Sequence, residues 1–265
     1  MDDQTPETVN TTVRTFDIIQ YLQRQGPAKL SKIATDLEMS QSTVHRHLDT
    51  LYNLRYVSRE GKKYVLGLRF MRLGQSARTR NPSFRRAKQS VRELANQTGE
   101  RAQFVVEDHG LGVYLYLETG EQAIETGMGP GRQIHLHCSS AGKAILANYS
   151  RDHVEKILDQ WGLPKQTDST ITDREELYEE LDRVRERGVA FNREEHVSGL
   201  TAASVPVKTD GGEVLGTLSI SAPSDRMQGE RLEETIPNLL LGSANALELE
   251  LTYSREEDAD TFVVE

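Results

Sequence analysis

Gln41, Ser42, Thr43, His45 and Arg46 stand close together inside the stretch LSKIATDLEMSQSTVHRHLDTLYNL, residues 30–54. Amide, hydroxyl, imidazole and guanidinium groups at the start of one helix suit the donors and acceptors on base edges in a DNA major groove. Ser40 precedes them, and its hydroxyl suits a helix N-cap on the same surface. A little downstream, Arg59, Lys62 and Lys63 surround Gly61 and offer cations to a phosphate backbone. Two further pairs of hydroxyls suggest a small-molecule site. Ser139 and Ser140 open a predicted helix, where free N–H groups favour an anion such as a carboxylate. Ser219 and Ser221 lie two apart on a predicted strand and so share a face. Hydroxyls on the inner face of a sheet need a partner, a water or a ligand.

The elements that would hold these groups follow from apolar spacing. Leu30, Ile33, Ala34 and Leu37 form one helical stripe, Glu38-Met39-Ser40 a turn, and Val44, Leu48, Leu51 and Tyr52 the inner face of a second helix. Tyr56-Val57 and Tyr64 to Leu66 read as two strands around a Glu60-Gly61 turn. Helix, turn, helix and hairpin make a winged helix-turn-helix. An earlier helix, Thr11 to Gln25, carries Val13, Phe16, Ile18, Ile19 and Leu22, with Asn10 as its expected cap and Gly26-Pro27 as its end. After the wing, Leu68 to Arg80 reads as a basic linker helix, interrupted at Asn81-Pro82.

From Phe84 onward helices mix with hairpins. Strands are expected over Gln103–Asp108, Val113–Glu118, Ile134–His137, Val189–Arg193, Ala203–Lys208 and Val214–Ser221. Helices are expected over Ala87–Gln97, from Ser139 or Ser140, and over Arg151–Gln160, Asp173–Arg187 and Gly229–Tyr253. Residues 119–133 are rich in turn formers. Antiparallel hairpins with no run of βαβ units argue for an α+β fold. The expected divisions are a winged helix-turn-helix domain at 9–67, a linker helix at 68–81, an α+β domain with an antiparallel sheet at 82–253 and an acidic tail at 254–265.

Net charge is −9, unpromising for a DNA-binding protein until the chain is split. Residues 1–80 hold 13 Lys+Arg against 8 Asp+Glu, a balance of +5, while the rest carries −14. A basic reading module joined to an acidic domain fits that asymmetry. The single cysteine, Cys138, excludes an internal disulfide framework, and the polar start MDDQTPETVN is unlike a secretory leader. No apolar run approaches the ~20 residues that span a bilayer, and mean hydropathy is −0.58. A cytoplasmic protein that binds no membrane is expected.

Enzymatic readings lack a constellation. Cys138 lies near His135 and His137, which would share a strand face, and His109 or His196 would be further metal ligands, but the spacing is not that of a tight metal site. A lone cysteine is more often a small buried residue. Ala141-Gly142-Lys143-Ala144 fails as a phosphate loop, since Ala144 stands where a magnesium-binding hydroxyl is required. Neither a catalytic residue nor a metal or cofactor is called for. The competing reading is an α+β metabolic enzyme with an accessory winged protein-interaction domain.

Three segments carry a family resemblance. IHLHCSSAGKAILANYS (134–150), RGVAFNREEHVSGLTAASVPVKTDGGEVLGTLSISAPSDRM (187–227), and STVHRHLDTL with YVLGLRFMRLG resemble, in order, the signatures of the IclR family of transcription regulators. The resemblance implies a GAF-like effector-binding domain behind the winged domain. It also implies an inverted-repeat, double-stranded DNA operator bound by a homodimer or a dimer of dimers, and control of a catabolic pathway. Carried over by position, the effector pocket falls on Ile134, Ser140, Ala141, Asn192, Leu200, Ala202, Ser219 and Ser221, with Ser139 beside them. Asn192 and Ala202 replace an aspartate and a cysteine of well-known members, which weighs against a glyoxylate- or pyruvate-like effector. A sugar-derived acid and an aromatic acid are both left open. Glu194 and Glu195 are expected to be solvated loop residues.

Overall fold

The computed structural model describes residues 8–124 and 127–260, the side chains of 254–260 apart. It divides into two compact units between Arg78 and Thr79. Among the described residues no helix is long and apolar enough to cross a membrane.

The first unit holds α1 (Asn10–Gln25), α2 (Leu30–Asp36), α3 (Gln41–Asn53), β1 (Val57–Glu60), β2 (Lys63–Leu66) and α4 (Arg69–Arg78). Its core joins Ile18 and Leu22 of α1, Ile33 of α2, Val44, Leu48 and Leu51 of α3, and Val57 and Tyr64 of the hairpin. Ser40 caps α3 by accepting from the Thr43 N–H at 3.1 Å. Gly26, at φ +70°, ends α1 as expected. Asn10 does not cap that helix: it is the first helical residue, and Val9 before it has no capping side chain. The wing register pairs Glu60 with Lys63, so the two-residue turn is Gly61-Lys62 rather than Glu60-Gly61. Gly61 takes φ +61° there, which favours a residue without Cβ. Ala28 pairs with Tyr64 and extends the hairpin by a bridge. Tyr52, expected inside, is 46 % exposed, because the inner face of α3 is already filled at Leu48 and Leu51. Val13 and Phe16 are likewise exposed.

The second unit is α+β. Its sheet contains β3 (Arg101–Asp108), β4 (Leu111–Thr119), β5 (Gln133–His135), β6 (Ala190–Arg193), β7 (Leu200–Lys208) and β8 (Val214–Pro223). The strands run in the order β5-β4-β3-β8-β7-β6, every neighbour antiparallel. One face packs on α5 (Pro82–Thr98) and α9 (Ile236–Asp260) through Ala102, Phe104, Val205, Leu218 and Ile220. The other bears α6 (Ser140–Leu146), behind which lie α7 (Arg151–Trp161) and α8 (Arg174–Arg187). Asn81 caps α5 and Pro82 is its first residue, so the expected interruption is where this helix begins. Helix α9 follows a π-helical turn at Arg231–Thr235 and continues to Asp260, so the expected acidic tail is helical in its first part; residues 261–265 lie outside the described residues.

The faces explain the sequence pattern. In β3, Ala102, Phe104 and Val106 enter the apolar core, while Arg101 and Gln103 point to the α6 side. The same alternation in β8 sends Leu218 and Ile220 one way and Ser219 and Ser221 the other. Gly142 in α6 is demanded by close approach: a Cβ there would lie 2.1 Å from the Leu136 carbonyl oxygen.

Candidate functional site

In the first unit the N-terminal end of α3 presents Gln41, Ser42, His45 and Arg46 to solvent, with Thr43 half-buried. The Ser40 hydroxyl is engaged in its cap and lies 2.9 Å from both the Ser42 and Thr43 hydroxyls. His45 Nδ1 is 2.9 Å from Asp49, which also accepts from Arg59 Nη2 at 3.1 Å. The Arg59 guanidinium lies over the rings of Tyr52 and Tyr64, 5.1 and 5.0 Å from their centroids. Arg59, one rung from the turn, thus leans toward α3 while its side chain stays 44 % exposed. Lys62 and Lys63 are exposed there.

In the second unit all nine residues expected to contact an effector, Ile134, Ser139, Ser140, Ala141, Asn192, Leu200, Ala202, Ser219 and Ser221, line one cavity. About 40 Å³ of it is open to the centre of a water molecule. Strand register builds its floor. Asn192, Ala202, Ser221 and Arg101 stand side by side across four strands, and Ser204, Ser219 and Gln103 form the next row. Helix α6 closes over the rows with Ser140 and Ala141. The hydroxyls are tied to one another: Ser204 donates to Ser140 at 2.7 Å, and Gln103 Nε2 donates to Ser221 at 2.6 Å. Ser139 caps α6 by accepting from the Gly142 N–H at 3.1 Å. Asn192 Oδ1 accepts from the Glu195 N–H at 2.7 Å while its residue lines the cavity.

Glu195 overturns the expectation of a solvated loop. It is 7 % exposed, and its carboxylate accepts from Lys143 Nζ at 2.6 and 2.7 Å. Lys143, on α6, is 1 % exposed and lies 3.7 Å from Glu180 of α8. Burial pushes Glu195 up against the pull of the Lys143 ammonium. Burial also works to raise Glu180, but Lys143, Arg183 and Arg187 together hold it below its ordinary range. A charge buried this deeply persists only when paired. Glu194 takes φ +64° and accepts from the Gly199 N–H at 2.8 Å.

Cys138 is buried beside this site, and burial pushes its thiol up to about 12, so it holds its proton. A protonated thiol is a poor nucleophile. Strand β5 stops at His135, so His137 lies beyond the strand on which both were expected; their rings are 5.7 Å apart. Burial lowers His137 to about 4 despite the Pro164 carbonyl oxygen 3.3 Å from Nε2. Among the described residues no group of three or more His, Cys, Asp and Glu is placed to hold a metal ion.

The cavity also takes Arg101, Gln103, Tyr114, Met128, His196 and Val197, which the sequence reading missed. Arg101 and Gln103 carried a usable signal: polar residues two apart in an apolar strand, the same pattern that singles out Ser219 and Ser221.

The winged unit and the sheet-borne cavity together define a two-part regulator architecture, and comparison with known proteins agrees. The IclR helix-turn-helix domain matches residues 11–61, and the C-terminal domain of bacterial IclR transcriptional regulators matches residues 76–248. The chain belongs to the IclR family of transcriptional regulators. It is 34 % identical over 239 residues to the HTH-type transcriptional regulator KdgR of Escherichia coli K12, covering 89 % of this chain and 91 % of that protein. The crystal structure of the Thermotoga maritima IclR superposes with a TM-score of 0.77 at 27 % identity, over 91 % of this chain and 98 % of that one. A double mutant of the PobR inducer-binding domain from Acinetobacter, solved with 3-hydroxybenzoic acid, gives a TM-score of 0.57 at 29 % identity, over 61 % of this chain and 95 % of that one. The matched families and relatives are regulators and not enzymes, which sets the metabolic-enzyme reading aside.

Proposed function

We propose that this regulator works in the cytoplasm as a homodimer, or a dimer of dimers, on an inverted-repeat operator, and releases or engages it in response to a small carboxylate-bearing metabolite. Helix α3 enters the major groove with Gln41, Ser42, Thr43, His45 and Arg46 toward base edges, while Lys62 and Lys63 meet phosphates. Exposed Val13 and Phe16 on α1 with Val9 just before it, and Met71 and Leu73 on α4 with Leu68 just before it, support pairing of two copies, since apolar side chains gain by leaving water. The observation that carries the effector reading is the cavity itself. It is a small cavity whose lining includes Arg101, Ser139, Ser140, Ser219, Ser221 and Asn192. A guanidinium and hydroxyl donors match a carboxylate. The acid held by the PobR domain is a precedent for a ligand of that class in a related fold. The regulator then controls a catabolic pathway that such an acid feeds. Ligand binding moves the equilibrium between operator-fitting and operator-missing dimers only if the two bind it with different affinity.

The test is binding of the purified full chain to DNA from around its own gene, at several salt concentrations and against random competitor. A specific complex that weakens steeply with salt is expected, and small acids, sugar-derived and aromatic, are then screened for its release. Equal affinity for all fragments with and without those acids counts against the reading.

A further inference from the structure

His45 lies one turn into α3, where helical spacing sets it beside Gln41 and Ser42, and its side chain is 57 % exposed. Its partner decides what each ring nitrogen can do. Nδ1 lies 2.9 Å from Asp49 Oδ2, one turn further along the helix. A carboxylate has no proton to give, so Nδ1 carries the hydrogen of that contact. In the neutral imidazole Nε2 is then a bare acceptor. Among the described residues the ring has no second hydrogen-bond partner.

Asp49 is itself held. Its other oxygen, Oδ1, accepts from Arg59 Nη2 on β1. The Arg59 guanidinium in turn lies over Tyr52 of α3 and Tyr64 of β2. Side chains of both wing strands thus hold a carboxylate on α3, and that carboxylate orients the imidazole one turn before it.

We infer that His45 Nε2 reads an exocyclic amine, N4 of cytosine or N6 of adenine, at one base pair of each half-site, with Asp49 and Arg59 as positioning residues that keep Nε2 an acceptor. This rests on the reading of α3 as the helix in the major groove. In that groove guanine presents only acceptors, N7 and O6, and thymine presents O4 and a methyl group. The amines are therefore the donors that a bare Nε2 can meet. Every base pair carries one such amine, on one of its two strands, so Nε2 selects which strand bears it. The reversed pair would set the O6 or O4 lone pairs against the lone pair of the ring, and is rejected. The neighbouring Arg46 makes the opposite demand, since a guanidinium has donors alone.

A duplex selected by the full chain from a random pool at about pH 8, where imidazole is neutral as a class, is the probe. His45→Ala should relax one base-pair position per half-site. At that position the adenine is replaced by purine, or the cytosine by 2-pyrimidinone, each lacking only the amine. Wild type should bind the altered duplex about tenfold more weakly, and His45→Ala should bind both duplexes alike. Asp49→Asn keeps the shape of the side chain but can offer Nδ1 a donor in place of an acceptor, so it should relax the same position and no other. A merely structural loss would weaken binding to every sequence equally. Nitrogen-15 NMR of the free, histidine-labelled chain should show Nδ1 protonated and Nε2 bare, assigned by the signal that disappears in His45→Gln. A ring protonated at Nε2, or undiminished wild-type binding to the duplex without the amine, overturns the inference. Should Arg46→Ala relax a position and His45→Ala none, α3 reads the groove and the His45 assignment falls. Should the chain select no sequence, or neither variant change the one selected, the reading of α3 fails and the inference falls with it.

Discussion

The expected DNA-reading side chains come from one helix and the hairpin that follows it, between Ser40 and Lys63. The cavity takes its wall from all six strands of the sheet, β3 to β8, and from α6, with contributing residues that run from Arg101 to Ser221. The first surface is solvated. Its polar groups keep their water, and their geometry follows from helix periodicity, one serine cap and a two-residue turn. The second is lined mostly by buried residues. Each polar group brought there must find a partner, so the electrostatic costs of the molecule gather around it, at Lys143, Glu195, His137 and His196. The difference implies that substitutions in the first region change binding more than stability, and that substitutions in the second change stability first.

The sharpest way to break that comparison is Lys143→Met. Removing one member of a buried ion pair strands Glu195 and should cost about 3–5 kcal/mol in urea unfolding. Adding Glu195→Leu should return most of the loss, because the stranded carboxylate is then gone. A loss below about 1 kcal/mol would place this pair with exposed ones such as Arg151–Glu175. The next effect is a pH dependence. His137 holds a pKa of about 4 when folded, against 6.5 ordinarily. Between those values the unfolded chain takes up a proton that the folded chain refuses. Stability is therefore whole above the upper value and falls as pH descends to the lower one, by about 3 kcal/mol. His137→Gln should make urea midpoints fall less across that window, the remaining slope coming from His135 and His196, which burial also lowers; a wild-type curve flat over the same range would refute the assignment.

The same contrast governs what the sequence reveals. Val44, Leu48 and Leu51 at helical spacing, Ser40 before them and Gly61 between two short strands encode the winged unit locally, and its elements fall where the spacing puts them. The errors there concern single side chains: Asn10 does not cap, and Tyr52 is crowded out of the core. Strand pairing in the second unit is non-local. That Asn192, Ala202, Ser221 and Arg101 form one row depends on register across four strands, which no window of sequence contains. Resemblance to a known family supplied eight of the nine expected cavity residues, and Ser219 and Ser221 had a signal of their own. Glu195 is illegible in the sequence because an acidic pair in a turn looks solvated until Lys143, more than fifty residues away, is folded against it.

The first surface can be sharpened by smaller changes. Arg46→Ala should cost about 1–3 kcal/mol of operator affinity if the guanidinium meets a base edge, with unfolding midpoints unmoved. Lys62→Ala and Lys63→Ala should each flatten the salt dependence by about one phosphate contact, on any duplex. Ser40→Ala is the smallest change and the most discriminating. Its hydroxyl is committed to the Thr43 N–H, so the loss should be about 1 kcal/mol of stability through fraying of the first turn of α3. Ser40→Asp keeps a capping oxygen and places a negative charge at a helix N-terminus, so stability should recover. The same carboxylate would repel a phosphate backbone. If Ser40→Asp unfolds like wild type yet binds duplex DNA more weakly, this end of α3 lies against DNA; if it binds as wild type does, the reading surface lies elsewhere on the unit.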